Sequence, residues 1–298
     1  MSRTSQLVKL WKVFESADDL FSKVVAKPKG VTLIRDIPYA NDNEPMHKLD
    51  LAKPDNAASL LPVILQVHGG GWVGGSKEAS HRNYGMSLAK EGYAVLSMNY
   101  RLAPDFPFPT QIEDIFIALN FIYDNYKTYG FDLGRIFLVG DSAGAHLVSI
   151  ASLIATDPTI AEKYHLICPL KLRGIALCCG VYDFDTFLGN DIRLPEKIET
   201  AEALFGSKNF RYTPFYTHSS VLRNLTTAYP PCFIMGTKAD PLFPETQRMI
   251  DRVTQLNIRN SVKVYPLEFL LPHCFHIRLQ FKQSVDVMNQ MLEFFAQL

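Results

Sequence analysis

Three short segments of the chain carry side chains whose types and spacing suit nucleophilic chemistry. Gly140-Asp141-Ser142-Ala143-Gly144 is a G-x-S-x-G sequence. On a sharp turn between strand and helix, such a serine stands exposed in a strained conformation, and the flanking glycines avoid collisions with the neighbouring elements. A serine hydroxyl becomes a nucleophile when a neutral imidazole takes its proton and a carboxylate fixes the tautomer of that imidazole. Asp240 in Lys238-Ala239-Asp240-Pro241 and His273 in Leu271-Pro272-His273-Cys274 supply these groups in the order serine, acid, histidine. Asp183 competes for the acid role and His276 for the base.

A further segment is His68-Gly69-Gly70-Gly71-Trp72. Acyl transfer builds negative charge on a carbonyl oxygen, and backbone N–H groups already aimed at that oxygen stabilise it without reorganisation. Gly69, Gly70 and Gly71 leave room for such an approach, and Ala143 adds an N–H at the start of the helix that follows Ser142. Trp72 and Tyr182 are the candidate substrate contacts. Gly69, Gly71 and Gly74 also spell G-x-G-x-x-G, but the dinucleotide reading needs a helix at once and a carboxylate closing the next strand. That strand closes instead on Met98-Asn99-Tyr100-Arg101. The P-loop pattern fails too, because Ser76 precedes Lys77 and no G-K-[ST] exists.

The elements that must position these groups follow from periodicity. VTLIRDIPYA and HKLDLAKP predict a two-stranded hairpin, and PVILQVHGG, GYAVLSMNY, RIFLVG, LRGIALCCGVY, CFIMGTKAD and SVKVYPLE predict buried strands. Between them run helical patterns: Ile112, Ile115, Phe116, Leu119 and Ile122; Leu147, Ile150, Ala151 and Ile154; ETQRMIDRVTQL; and a tail with Val285, Met288, Leu292 and Phe295 in register. Residues 5–25 predict an amphipathic helix with Leu7, Leu10, Trp11 and Phe14 on one face, then Leu20, Phe21, Val24 and Val25. It is either packed on the body, a lid, or a membrane-surface helix using Lys9 and Lys12. Strands alternating with helices give an α/β fold with a mostly parallel, mixed sheet covered on both faces. Residues 185–225, with Pro195, Pro214 and scattered aromatics, break the alternation and read as an insertion above the carboxyl edge of the sheet, where ligands bind.

Composition narrows the function classes. The 298 residues are 47% hydrophobic and 20% charged, which excludes disorder. Thirty basic residues balance thirty acidic ones, which removes the bulk electrostatic case for nucleic acid or anionic membranes. No run reaches the ~18 apolar residues of a membrane span, and the first residues lack the apolar core of a signal peptide, so the expected location is the cytoplasm. The five cysteines, Cys168, Cys178, Cys179, Cys232 and Cys274, are odd in number, against a disulfide scaffold, and contain no C-x-x-C pair, against a cysteine zinc site.

HGGGW, Tyr100-Arg101-Leu102-Ala103-Pro104 with Pro107 and Pro109, GDSAG, and the segments of Asp240 and His273 together resemble the hormone-sensitive-lipase-like family of α/β-hydrolases. The resemblance runs from about residue 30 to the end. It implies an α/β-hydrolase fold in a single domain over 1–298, with helical cap elements from about 1–30 and 185–225. It further implies a carboxylesterase with the triad Ser142, Asp240 and His273, an oxyanion hole from the glycine loop and Ala143, a small-molecule ester substrate, no metal and no organic cofactor. An edge-strand homodimer is common among similar proteins, but no residue here specifies one. Two positions depart from the family pattern: Cys274 stands where glycine usually follows the histidine, and Asp105 replaces a glutamate.

Two other functions stay open at this point. H-G-G-x-W also resembles kynurenine formamidases, which cleave an N-formyl amide with the same triad. The gibberellin receptors of plants resemble the family but lack the catalytic histidine, and a histidine is present here. Phe187, Phe205, Phe210, Phe215 and Tyr216 make the insertion aromatic, which suits either a packed cap or an apolar pocket for short to medium acyl chains.

Overall fold

The computed structural model describes residues 3–57, 60–189 and 196–298. In chain order it contains α1 (Arg3–Ser22), β1 (Val31–Pro38), β2 (Lys48–Pro54), β3 (Leu61–Val67), α2 (Ala79–Lys90), β4 (Ala94–Met98), α3 (Thr110–Asp124) and the single turn α4 (Tyr126–Tyr129). Then follow β5 (Phe131–Asp141), α5 (Ala143–Thr156), α6 (Pro158–Tyr164), β6 (Leu172–Cys178), α7 (Phe184–Phe187), α8 (Lys197–Phe205) and α9 (Val221–Asn224). The chain closes with β7 (Cys232–Thr237), α10 (Phe243–Gln255), β8 (Asn260–Tyr265) and α11 (Lys282–Ala296).

All eight strands form one sheet in the order β1-β2-β4-β3-β5-β6-β7-β8. β1 pairs antiparallel with β2, and β2 antiparallel with β4; every later pairing is parallel. This is the mixed, mostly parallel sheet that the sequence predicts. The period-2 rule divides the interior in two. Val63, Leu65 and Val67 of β3, with Leu96 of β4 and Leu138 of β5, face a core closed by Ile112, Ile115 and Leu119 of α3 and Leu147 and Ile150 of α5. Ile64, Val95, Phe137 and Val139 face the opposite core, closed by Tyr84 and Leu88 of α2 and by Val287, Met291 and Phe295 of α11.

Several expectations are corrected. Helix α2 was not anticipated: its polar residues Ser80, His81 and Asn83 are buried, which erases the apolar stripe by which a helix is recognised. Val285 lies on the exposed side of α11. α1 ends at Ser22, and Leu20 and Val24 face solvent; the side chains of Leu7, Phe14 and Phe21, and Pro195 of the insertion, lie outside the described residues. The hairpin contains a bulge between Ile34 and Ile37, where Asp36 has φ +56° and turns its carboxylate to Lys77. Lys77, only 1% exposed, also bonds Asp50 and Glu78 and so ties the glycine loop to the sheet edge.

The sharp turn after β5 is held by close packing. A Cβ on Gly144 would lie 2.1 Å from the Val67 carbonyl oxygen, and one on Gly140 would lie 2.4 Å from that of Gly144. Both meet rigid backbone. Gly144→Ala is expected to lower stability by about 1–3 kcal/mol, the cost of overpacking a filled site, measured by urea unfolding. An unchanged midpoint and slope would show that α5 need not approach β3 so closely.

Candidate active site

The carboxyl ends of β3, β5, β6, β7 and β8 converge on a cavity of about 340 Å³. Its lining includes Leu10, Trp11, Gly71, Trp72, Ser142, Val181, Phe187, Lys197, Asp240, Leu242 and His273. Thus Ser142, Asp240 and His273, more than thirty residues apart in sequence, open on one space.

Ser142 sits at φ +52° and ψ −119°, a conformation that costs an L-residue strain. Its N–H donates to the Cys178 carbonyl in β6 at 2.9 Å, and its own carbonyl accepts from His146 one turn into α5. Asp240 follows β7, accepts from the Leu242 N–H at 2.8 Å and is nearly fully buried. His273 Nδ1 lies 2.7 Å from Asp240 Oδ2, and its ring keeps 35% of its surface open. Burial alone would push the Asp240 carboxyl up, but the charge and hydrogen bond of His273 hold it below the usual carboxylate range. Burial alone would likewise push the His273 imidazole down, yet the Asp240 charge and hydrogen bond raise it well above 6.5.

His273 Nε2 faces Cys274 Sγ at 3.3 Å. A hydrogen bond from Ser142 Oγ to that nitrogen is not among those of the described residues. Burial raises the Cys274 thiol well above its ordinary value. With Nδ1 against the Asp240 carboxylate, the neutral ring places its proton there and leaves Nε2 as the acceptor, the tautomer a general base needs. Cys274 adopts φ +53°, the left-handed conformation in which a glycine would be unstrained.

The glycine loop is built from positive-φ residues, Gly70 at +133° and Gly71 at +58°, followed by Trp72 at +62°. The Gly70 carbonyl accepts from Val73 and Gly74, which closes the turn. Among the described residues neither the Gly70 nor the Gly71 N–H is spent on a hydrogen bond of this turn. Ala143, first in α5, has no carbonyl one turn earlier for its own N–H. Gly69 also serves packing. A Cβ there would stand 2.5 Å from Asp141 Oδ2 and 3.1 Å from Ser142 Cβ, so its bareness admits the serine turn.

The two expected substrate contacts fare differently. Trp72 reaches the cavity but is 2% exposed, with its indole N–H donating to His146 Nδ1 at 3.2 Å. Tyr182 is fully buried and absent from the lining; the Glu245 carboxylate accepts the N–H groups of Tyr182 and Asp183, which fixes this loop with the ring turned into the core against Gly180. Val181, its neighbour, lines the cavity instead. Neither competitor joins the site. Asp183 caps α7 through Thr186 N–H and accepts from Ser220 Oγ. His276 is buried against Tyr84, and burial lowers its imidazole to about 4.

Sequence reasoning missed the network behind the serine. Asp141 Oδ1 pairs with His81 Nε2 at 2.9 Å in the interior. Burial alone would raise the Asp141 carboxyl and lower the His81 imidazole, but their mutual attraction reverses both shifts. His68, stacked on Tyr100, is held neutral by burial, which lowers it to about 3, and its Nδ1 faces the Gly69 carbonyl at 2.7 Å. The only sequence signal was a D in G-D-S-A-G whose partner lies on an unrecognised helix.

A model of the BD-FAE family matches residues 49–250, most of the chain and the span that contains the glycine loop, the serine turn and Asp240. The chain belongs to the BD-FAE family. Over 138 residues it is 34% identical to an alpha/beta hydrolase of Acanthamoeba polyphaga mimivirus, a match that covers 46% of this chain and 39% of that relative. Esterase B of Lactobacillus rhamnosis superposes with a TM-score of 0.90 at 24% identity, over 98% of this chain and 94% of that one. A bacterial heroin esterase gives 0.80 at 22%, over 99% and 92%, and an esterase of the archaeon Pyrobaculum calidifontis 0.78 at 21%, over 98% and 93%. The BD-FAE chain therefore has the α/β-hydrolase fold that its motifs imply. No helix among the described residues is long and apolar enough to cross a membrane.

The coupling of His273 to Asp240 is directly measurable. In an NMR titration the His273 ring is expected to change protonation above pH 6.5, and Asp240→Asn is expected to move that transition downward, since the raising charge is gone. A wild-type ring titrating below 6.5 would contradict the pairing.

Proposed function

We propose that this BD-FAE protein is a serine carboxylesterase acting on small esters with short to medium acyl chains through an acyl-enzyme intermediate. The observation that carries the reading is the 2.7 Å contact of His273 with Asp240 beside a positive-φ Ser142 on one cavity. In this reading 1–298 is one hydrolase domain, capped by α1 and by the segment around α7 and α8, whose residues Leu10, Trp11, Phe187 and Lys197 line the cavity.

The reaction proceeds in two halves. Ser142 Oγ attacks the ester carbonyl while Nε2 of His273 accepts its proton, the ring having turned from Cys274 to the serine. Asp240 stabilises the imidazolium that forms. Negative charge gathers on the carbonyl oxygen and is met by the N–H groups of Gly70, Gly71 and Ala143, each such donor contributing on the order of 3 kcal/mol. The imidazolium returns its proton to the departing alcohol. Water, deprotonated by the same nitrogen, then releases the acid and restores the serine. Every group belongs to the chain itself.

The size and character of the cavity support the acyl range. Leu10, Trp11, Val181, Phe187 and Leu242 offer an apolar wall for a chain of a few carbons. The remaining aromatics of the insertion serve the packing: Phe205, Phe210 and Tyr216 stack on one another and on Phe184.

Ser142→Ala is expected to cut hydrolysis of p-nitrophenyl acetate by roughly 10⁴ or more with unchanged unfolding; a variant retaining a tenth of the activity would exclude Ser142 as nucleophile. Turnover of p-nitrophenyl acetate is expected to exceed that of N-formylkynurenine, and the opposite order would favour a formamidase. Failure of a fluorophosphonate to label Ser142 would point to a ligand-binding scaffold. Because only the neutral His273 ring can accept a proton, the rate should rise with pH through its elevated pKa, so the acidic limb of kcat/KM belongs above pH 6.5. Activity that climbs steadily from C2 to C16 esters would overturn the acyl range.

A further inference from the structure

The His273 nitrogen used for catalysis has sulfur neighbours that the esterase mechanism does not need. Cys179 follows β6 directly and adopts φ +52°, with its N–H bonded to the Met235 carbonyl of β7 at 2.9 Å. Cys274 follows His273 in the loop after β8. Both cysteines are reduced and buried. Each takes a left-handed backbone conformation. One ligand atom each from Cys179, His273 and Cys274 lies within 4.8 Å of the others, and the Cys274 Sγ to His273 Nε2 distance is already 3.3 Å.

These separations are close to those of a metal complex. With Zn–S near 2.3 Å and Zn–N near 2.05 Å, a tetrahedron requires edges of about 3.8 Å between sulfurs and about 3.6 Å between nitrogen and sulfur. Changes of at most about 1.2 Å in these separations match them to such edges. The outer shell is also in place. A metal-bound histidine ordinarily donates its other ring N–H to a carboxylate, which fixes its orientation and strengthens its donor nitrogen. Asp240 does this at His273 Nδ1. Two thiols and one imidazole select soft or borderline cations, zinc above all, over magnesium or calcium. The other clustered acids of the described residues, Asp36, Asp50 and Glu78, already hold the Lys77 ammonium.

We propose that Cys179, His273 and Cys274 form a zinc-binding site that reversibly switches off the hydrolase. Zinc takes the lone pair of Nε2 and those of two thiolates; the two thiol protons, together with the Nε2 proton of a cationic ring, pass to solvent. No electron is transferred. Zinc and the serine proton compete for the same lone pair, so the bound enzyme has no base. The inhibition rests on the esterase reading, whereas the binding does not. The absence of a C-x-x-C pair, which argued against a cysteine zinc site, is no obstacle here, because the fold rather than local spacing unites the two thiols.

The test uses the full chain, reduced and stripped of metal. Cobalt(II) reports the ligands: one equivalent is expected to give the near-ultraviolet absorption of thiolate coordination and the visible bands of a tetrahedral centre. Zinc is expected to displace it and to raise the thermal midpoint. Ser142→Ala should preserve these signals. Cys179→Ser and Cys274→Ser should each weaken them, and the double variant should abolish them while still unfolding cooperatively; Cys274→Gly, which relieves the positive φ, provides a second folded test. One equivalent of zinc is expected to lower wild-type ester turnover by roughly 10²-fold, the share a general base supplies, with recovery on adding chelator. In the double variant the ratio of rates with and without zinc should approach one. Absence of thiolate absorption in the wild type, or its survival in the folded double variant, overturns the site. Metal-free protein that binds cobalt but hydrolyses no ester would refute the esterase reading and leave the metal site standing.

Discussion

The whole arrangement depends on a contact between two pieces of backbone. The N-terminal turn of α5 can lie against the last carbonyls of β3 only because position 144 has no side chain. That approach forces the residue between β5 and α5 into a positive-φ conformation and lifts its side chain out of the sheet. Everything else in the site is arranged around this strained serine. The glycine loop after β3 runs beside it because Gly69 can pass within contact distance of Ser142. The strain, on the order of 1–3 kcal/mol, is sustained by a deeply buried two-core sheet rather than by local bonds.

An aspartate–histidine pair stands on each side of the serine. Behind it, Asp141 and His81 neutralise each other away from water, and His68 remains uncharged. In front of it, Asp240 and His273 form a pair with one edge open to the cavity. The rear pair has no access to a ligand and serves to hold the turn. The front pair retains a ring nitrogen whose neighbour is an exchangeable thiol. The same two residue types therefore hold structure in one setting and can carry chemistry in the other, and solvent access decides which.

Much of this was legible in the sequence. The strands of the parallel sheet are continuous apolar runs, and the glycines at 69–71, 140 and 144 announce tight backbone approaches. The residues that the motifs single out after β3, β5, β7 and β8 do come together. The features that were not legible have a common cause. Helix α2 buries polar residues, and the partners of those residues lie far away in sequence. Tyr182 read as a substrate contact, but an unanticipated carboxylate, Glu245 of α10, fixes its loop with the ring turned inward. The proximity of Cys179 to Cys274 depends on separate loops meeting, which no local pattern encodes.

Trp11 gives the amino-terminal helix a more intimate position than a simple cover. Its indole stands 2.7 Å from where a side chain on Gly71 would begin, and α1 is moored through Asp18 to the Ser80 hydroxyl and N–H and through the Ser22 carbonyl to Asn83. The dielectric around the bare amides of the loop is thus set in part by a segment that precedes the sheet altogether. In the proposed esterase reaction, a chain deprived of that helix would keep its triad yet leave those amides facing bulk water, where their dipoles are screened and the hold on a forming anion that the proposal gives them fades.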